Sequence, residues 1–485
     1  MLFADVSVLD ENFAVVPHQW VGVRDGRVVY VGGADPREAD PGAAGSHAVG
    51  PREAITSAAS QGDVEEATGP HVAAPAATSQ NDEVQAVEPH DSPADFGEVI
   101  NGAGRLLMPA LYNTHAHSPM VLLRGYAENL PLQRWLNEKC FPFEAKMTGD
   151  DCYWGTLLAC AEMARFGVVS FTDMYYNAER SAQAVMESGM KASLGSAPVL
   201  LGDTPFAERA EYAQTEAMIR QWHGAGNGRI RVDCALHSEY LTTEPVVRDV
   251  TAFAKERGLR LHIHLSETAK EVEECRQRHN GLSPVAYFES TGLFEVPVTA
   301  AHCVWLDEAD LDILQAREVF VANNPASNMK LGSGFAPIGE MFRRGMNVCL
   351  GSDGMASNNN HDLFHDMYLQ ALIYKGATLD PTAVTPQQAL RAATRTGALS
   401  QGRDDCGLVK EGMRADLCLL DATGPSWCPA TDMACNLVYA GHGSDVVMTL
   451  CDGRVVYRNG AFPTIDLERA KAECAARTKR ILGEL

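Results

Sequence analysis

Met108-Pro109-Ala110-Leu111-Tyr112-Asn113-Thr114-His115-Ala116-His117 decides how the rest of this chain is read. The apolar run predicts a buried strand, and two imidazoles stand after it at positions i and i+2. Side chains alternate faces along a strand, so both rings point the same way where the chain leaves the core. Two nitrogen donors on one face can reach a single ion. A His-x-His pair also occurs by chance on exposed strands, so its meaning rests on the strands downstream.

Four later runs share one grammar, a short apolar strand ending in a residue able to bind metal or move a proton. Leu259-Arg260-Leu261-His262-Ile263-His264-Leu265-Ser266-Glu267 places His264 at a strand end and Glu267 just beyond. Val298-Thr299-Ala300-Ala301-His302 ends in histidine, and Asn347-Val348-Cys349-Leu350-Gly351-Ser352-Asp353 in aspartate. Arg229-Ile230-Arg231-Val232-Asp233-Cys234-Ala235-Leu236-His237 ends in a further histidine. Five strands ending this way describe the active face of a (β/α)8 barrel, whose catalytic groups sit at the carboxyl ends of parallel strands. The predicted strands are Leu106–His117, Gly167–Met174, Lys191–Val199, Arg229–His237, Arg260–Leu265, Val298–His302, Glu318–Asn323 and Asn347–Asp353. Helical patterns such as Asp150–Arg165 and Val246–Arg257 lie between them, the alternation expected of a parallel sheet.

A barrel uses about 250 residues, and this chain has 485. Its two ends echo each other: Asp25-Gly26-Arg27-Val28-Val29-Tyr30 recurs as Asp452-Gly453-Arg454-Val455-Val456-Tyr457. Asp-Gly between β-rich runs signals a hairpin, so residues 1–33 and 406–463 are expected to combine into one small β-sandwich beside a barrel spanning 99–405. A helix is expected at 464–485. Residues 34–98 break the pattern, with 13 acidic and 2 basic side chains and no leucine. Such a composition buries too little apolar area to offset chain entropy. The segment is expected to be a disordered acidic insertion, dispensable for activity, with His47, His71 and His90 solvated.

Net charge of −23 argues against nucleic-acid or anionic-membrane partners and for a small molecule. No stretch of eighteen apolar residues and no basic-then-apolar N-terminus is present, which predicts a chain neither membrane-spanning nor secreted. Thirteen cysteines without Cys-x-x-Cys spacing read as reduced thiols in the cytoplasm.

With these residues in hand, the chain resembles the amidohydrolase superfamily, and within it the 5-methylthioadenosine/S-adenosylhomocysteine deaminases. Asn113–Gly125, His264–Thr268, Ala300–Val304, Asn324–Gly334 and Gly351–Asn359 carry the likeness. It implies that His115, His117, His264 and Asp353 bind one divalent metal ion per subunit, usually zinc. It implies acid/base positions at Glu267 and His302, a ribose-binding Glu144 in Phe141-Pro142-Phe143-Glu144, and a purine-contacting His237. The implied substrate is a purine nucleoside, and a homo-oligomer is compatible with it.

Three neutral imidazoles and a carboxylate leave one metal position open, as a catalytic site requires. An ion so held lowers the pKa of water from 15.7 to about 7. Attack at C6 of adenine needs a proton delivered to N1, which Glu267 is placed to supply. Asp353 can take the water proton and pass it to the departing amine while His302 orients the nucleophile. Cys234-Ala235-Leu236-His237 offers no Lys or Glu to bridge a second ion, so a single metal is expected.

The chain also departs from that family. Ser196 stands where better-known members carry an arginine for the substrate's amino-acid carboxylate, and Arg209 lies nearby without clear register. Losing that bidentate partner disfavours a homocysteine tail and favours 5′-methylthioadenosine, 5′-deoxyadenosine or adenosine. Asn323 stands where members often have histidine. Two alternatives remain: an amidohydrolase of another ring (guanine, an oxidised purine, a chlorinated triazine), and a non-catalytic barrel scaffold.

Overall fold

The computed structural model describes residues 1–38, 96–196 and 199–485. Strands β1 (Leu2–Leu9), β2 (Val15–Arg24), β3 (Arg27–Gly32), β4 (Val99–Asn101) and β5 (Arg105–Pro109) come first. The barrel is built from β6 (Leu111–His117), β7 (Val168–Tyr175), β8 (Lys191–Ser196), β9 (Ile230–Leu236), β10 (Leu261–Leu265), β11 (Val298–His302), β12 (Phe320–Asn323) and β13 (Asn347–Leu350). The short β14 (Asp353–Gly354) resumes the eighth strand, and β15 (Leu417–Asp421), β16 (Val446–Cys451) and β17 (Arg454–Arg458) complete the chain's sheets.

Neighbouring strands from β6 to β13 pair in parallel. The ring closes where β14 meets β6, with Asp353 opposite Ala116 and Gly354 opposite His117. That closure seats the aspartate beside the two histidines. It also demands a glycine just before it: a Cβ on Gly351 would lie 2.4 Å from Asn324 Oδ1 and 2.9 Å from the His115 backbone nitrogen.

The run Leu106–His117, expected as one barrel strand, is two strands in two sheets. Residues 105–109 pair with β15 and β1, and only Leu111 onward joins β7. Pro109 has no N–H to give a ladder, and the next two amides diverge: Ala110 donates to Asp416 O and Leu111 to Gly167 O. The barrel therefore begins at 111 rather than 99.

The small sheet runs β17-β16-β15-β5-β1-β2-β3, with β4 beside β1. Both chain ends supply it. Asp25, Gly26, Asp452 and Gly453 have φ of 50°, 78°, 48° and 72°, the left-handed pairs that two-residue hairpins require. The two turns belong to hairpins at opposite ends of the strand order, yet they touch: Ala415 N donates to Gly26 O, and Gly453 N to Ala415 O. The sheet is thus rolled on itself around Phe3, Val6, Val21, Val28, Leu107 and Leu417.

Phe96, which composition grouped with the acidic insertion, is buried. A Cβ on Gly22 would fall 2.4 Å from its ring, so the residue belongs to the small sheet and the insertion ends before it. The expectation of a disordered, dispensable insertion, with its three histidines, falls on 39–95, outside the described residues. All thirteen cysteines are free and eleven are buried. Among the described residues no helix is long and apolar enough to cross a membrane.

An ionic cluster joins the two sheets. Lys191 on β8, 1% exposed, places Nζ 2.5 Å from Asp416 Oδ2 and 2.7 Å from Asp452 Oδ1, and the Tyr112 hydroxyl on β6 also donates to Asp416. Burial works against the Asp416 charge, but Lys191 outweighs it and holds the carboxyl below its usual range. Breaking a buried pair by removing one partner costs about 3–5 kcal/mol. Lys191→Met is therefore expected to lower the unfolding free energy by about that amount in urea titration, with kcat of the folded fraction unchanged. A loss no larger than a surface substitution gives would remove this cluster as the tie between the sheets.

Candidate active site

Four barrel strands deliver imidazoles to one pit at their carboxyl ends. His115 and His117 come from the end of β6, His264 from β10, His302 from β11, and His237 from the residue after β9. Asp353 enters from the closing strand, its Oδ1 3.4 Å from His115 Nε2 and 3.3 Å from His117 Nε2. His117 Nε2 and His264 Nε2 are 3.2 Å apart.

Hydrogen bonds to the far nitrogens fix the tautomers. His117 Nδ1 donates to Met174 O at 2.6 Å and His264 Nδ1 to His237 O at 2.8 Å. In its neutral form each ring then offers an Nε2 lone pair to the pit, and two lone pairs at that separation repel unless a proton or a metal ion lies between them. His115 Nε2 is buried without a hydrogen-bond partner, while its Nδ1 meets His262 Nε2 at 2.9 Å. An orphaned buried nitrogen, two facing lone pairs and a carboxylate oxygen are a donor set that fits a divalent ion.

Electrostatics separate the groups of the pit. Burial drives His115 down to about 4, and burial with neighbouring imidazoles carries His264 well below its usual range. Burial opposes charge on His117 too, but Asp353 beside it pushes that ring up to about 9. Burial works against Asp353, yet His115 and His117 hold it well below an ordinary carboxylate. Ser327 Oγ and Ser357 Oγ donate to its Oδ2 at 2.6 and 2.9 Å.

Glu267 sits in the same pocket in a different state. Burial pushes its pKa up, partly offset by His302, whereas that of Asp353 is held down. Ser333 Oγ donates to Glu267 Oε1 at 3.3 Å, and Oε2 lies 3.9 Å from His302 Nε2. His302 Nδ1 is 2.9 Å from Asn328 Oδ1, which leaves Nε2 facing the pocket. Ser266, His302, Cys303 and Asp353 take φ of 50°, 72°, 48° and 63°. Non-glycine residues held there are strained, and such strain gathers at functional sites.

Glu144 ends the short helix Phe141–Glu144, and burial, against the pull of Tyr175, raises its carboxyl to about 7. His237 tilts against His264 with centroids 4.5 Å apart. Leu132, Trp135, Leu136, Tyr176, Tyr240 and Leu331 wall the pocket. A wider cavity adjoins it through Phe141, Glu144, Tyr175 and Tyr176, with Asn137, Gln214 and Gln221 on its far lining.

All eight residues singled out by sequence lie here. Sequence reasoning passed over His262, which supports His115, although it stands two positions before His264 and so shares its face. It also passed over Trp135 and Tyr240, which come from connecting segments without periodicity. Asn323 is buried away from the pit, donating to the Tyr374 hydroxyl at 2.6 Å and accepting from Gln370 at 3.2 Å. Arg209 donates to the carbonyls of Leu201, Gly202 and Thr204. The Ser196 side chain lies outside what the structure describes.

The family model for the amidohydrolase family matches residues 106–456. The chain belongs to the amidohydrolase family. The 5-methylthioadenosine/S-adenosylhomocysteine deaminase of Pelotomaculum thermopropionicum is 42% identical over 80% of this chain and 88% of its own length. The 5′-deoxyadenosine deaminase of Methanothermobacter thermautotrophicus is 41% identical, covering 80% of this chain and 91% of the relative. Among solved structures, an adenosine deaminase from Xanthomonas campestris with bound zinc superposes with a TM-score of 0.81 at 26% identity, covering 99% of this chain and 98% of that one.

Removing a nitrogen donor from this amidohydrolase tests the donor set directly. His264→Ala and His115→Ala are expected to lose most of their stoichiometric metal by elemental analysis, and with it activity. Full metal content in His264→Ala would require a different coordination.

Proposed function

We propose that this amidohydrolase hydrolytically deaminates 5′-substituted adenosines to the inosine analogue and ammonia, using one divalent metal ion, zinc by preference, per subunit. The observation that carries this reading is one pocket holding two carboxylates in opposite environments: Asp353 within 3.4 Å of the His115 and His117 Nε2 atoms, and Glu267 buried beside His302 and Ser333 with its pKa pushed up. Opposite environments on paired titratable groups mark acid and base assignments. Similarity to named nucleoside deaminases supports the substrate class.

His115, His117, His264 and Asp353 would hold the ion, whose chemistry is to make water nucleophilic near neutral pH. Glu267 delivers its proton to N1 of the adenine ring as C6 is attacked. Asp353 accepts one proton of the attacking water and returns it to the amine as the C6–N bond breaks, and the proton left on the new C6 hydroxyl restores Glu267 as the carbonyl forms. Two serine hydroxyls on Oδ2 keep that carboxylate oriented. His302, with Nδ1–H committed to Asn328, presents Nε2 to the water and fixes its line of approach. Trp135, Leu132 and Tyr240 exclude bulk solvent.

Glu144 accepts both hydroxyls of a ribose diol, and the adjoining cavity takes the 5′-substituent. With Arg209 committed to backbone carbonyls, a small uncharged substituent is preferred over a homocysteine tail. A chain rich in buried free thiols suits the reducing cytoplasm.

Competition assays decide substrate choice. 5′-Methylthioadenosine, 5′-deoxyadenosine and adenosine should each exceed S-adenosylhomocysteine in kcat/KM, and free adenine should trail all of them. Ser196→Arg should improve S-adenosylhomocysteine alone. A wild-type preference for S-adenosylhomocysteine, or for guanine or a triazine, would replace this reading.

Glu144 gives a pH signature. Its carboxyl is raised from 4.5 to about 7, so it is ionised above that pH and protonated below it. Exchanging a charged for a neutral acceptor weakens a hydrogen bond by about 1 kcal/mol, or roughly five- to tenfold in affinity. KM for adenosine should rise by roughly that factor as pH falls from 8 to 6, and Glu144→Gln should be weaker throughout and flat with pH. A flat wild-type KM would take Glu144 out of ribose binding.

A further inference from the structure

The turn that carries Glu267 is left-handed at Ser266, with φ of 50°, and something must hold it there. The side chain of Glu271, one turn into the helix Ala269–Arg278, does so from beneath. Its Oε1 accepts from Ser266 N at 3.0 Å, and its Oε2 from Glu267 N at 2.7 Å and Thr268 N at 3.4 Å. Three consecutive amides therefore converge on one buried carboxyl group. A helix-capping glutamate needs only the Thr268 amide, the reciprocal partner of Thr268 Oγ1 accepting from Glu271 N at 3.1 Å. The other two bonds lie outside the helix and grip the segment between His264 and the cap.

We propose that Glu271 is a positioning residue, locking the 266–268 turn so that the Glu267 carboxyl is aimed at the substrate. This rests on Glu267 being the proton carrier. The turn also engages the neighbouring strand end, since Ser266 O accepts from Val304 N and Trp305 N at 3.1 and 2.9 Å. Any slackening at 266 thus reaches the segment just past His302.

The required chemistry is two acceptor oxygens side by side. Glutamine offers only one, and in either amide orientation its NH2 opposes a backbone N–H. Glu271→Gln should therefore free the turn while preserving volume, and misplacement of a catalytic group by about 1 Å can cost 10²-fold.

The experiment compares Glu271→Gln, Thr268→Ala, Glu267→Gln and the double variant Glu267→Gln/Glu271→Gln as metal-loaded enzymes, with adenosine as probe. Metal content, Tm, kcat and KM are measured for each. Glu267→Gln should lose at least about 10²-fold in kcat. Glu271→Gln should lose kcat by about 10–100-fold with KM and metal content near wild type. Thr268→Ala, which breaks the same cap, should lower Tm and leave kcat within about twofold. Because Glu271 acts through Glu267, the double variant should be no slower than Glu267→Gln.

A near-normal kcat in Glu271→Gln, equal losses in Glu271→Gln and Thr268→Ala, or additive losses in the double variant would overturn the positioning role. Should Glu271→Gln not fold, Glu271→Ala takes its place. Failure of both to fold would make the residue purely structural. A near-normal Glu267→Gln would instead sink the assignment of Glu267 itself.

Discussion

Everything at the barrel's carboxyl face depends on packing imidazoles from four strands around a single buried carboxylate. Rings so placed bring ring nitrogens face to face, 3.2 Å apart at His117 and His264. The far nitrogens settle which way each ring turns, and they do so through main-chain carbonyls at Met174 and His237. Met174 lies in the β7–β8 ladder, and the carbonyl of His237, one residue past β9, is held by the His264 amide at 2.9 Å. The barrel is therefore part of the ligand geometry and not merely a frame around it.

Asp353 and Glu267 are both buried, and burial alone would protonate each. Asp353 escapes because two imidazoles and two serine hydroxyls surround it, whereas Glu267 has one hydroxyl and the edge of one imidazole. The opposite directions of their pKa shifts come from their partners, since depth is nearly the same for both. Left-handed backbone at Ser266, His302 and Asp353 shows what the arrangement costs, and the dense hydrogen bonding behind these positions is what holds the strain in place.

Much of this was legible in the sequence. Strand-end histidines stand out because period-two alternation ties spacing to direction, and the twin Asp-Gly turns were visible because a hairpin is a local event. What escaped was non-local. In the apolar run through Pro109 that proline is the only local mark of a change of sheet, and it was passed over because both halves are buried and only their pairing partners differ. Phe96 was lost in the composition of an acidic stretch, although one aromatic against Gly22 outweighs its neighbours. The pocket wall at Trp135 and Tyr240 comes from connecting segments, where position depends on tertiary contacts that no spacing rule records. The Thr268-x-x-Glu271 cap was readable as a motif, but its extra grip on Ser266 and Glu267 needed coordinates.

The small sheet also sets a timetable. Its β5 edge finds its partner β15 only after the whole barrel has been made, about three hundred residues later along the chain. At synthesis rates of 5–20 residues per second, that leaves an apolar strand edge unpaired for roughly 15–60 s. During that interval the nascent N-terminal strands present an open ladder to any neighbouring chain. Ribosome-associated chaperones, or slow initiation that spaces nascent chains apart, would thus matter more to the yield of this protein than the stability of its finished barrel.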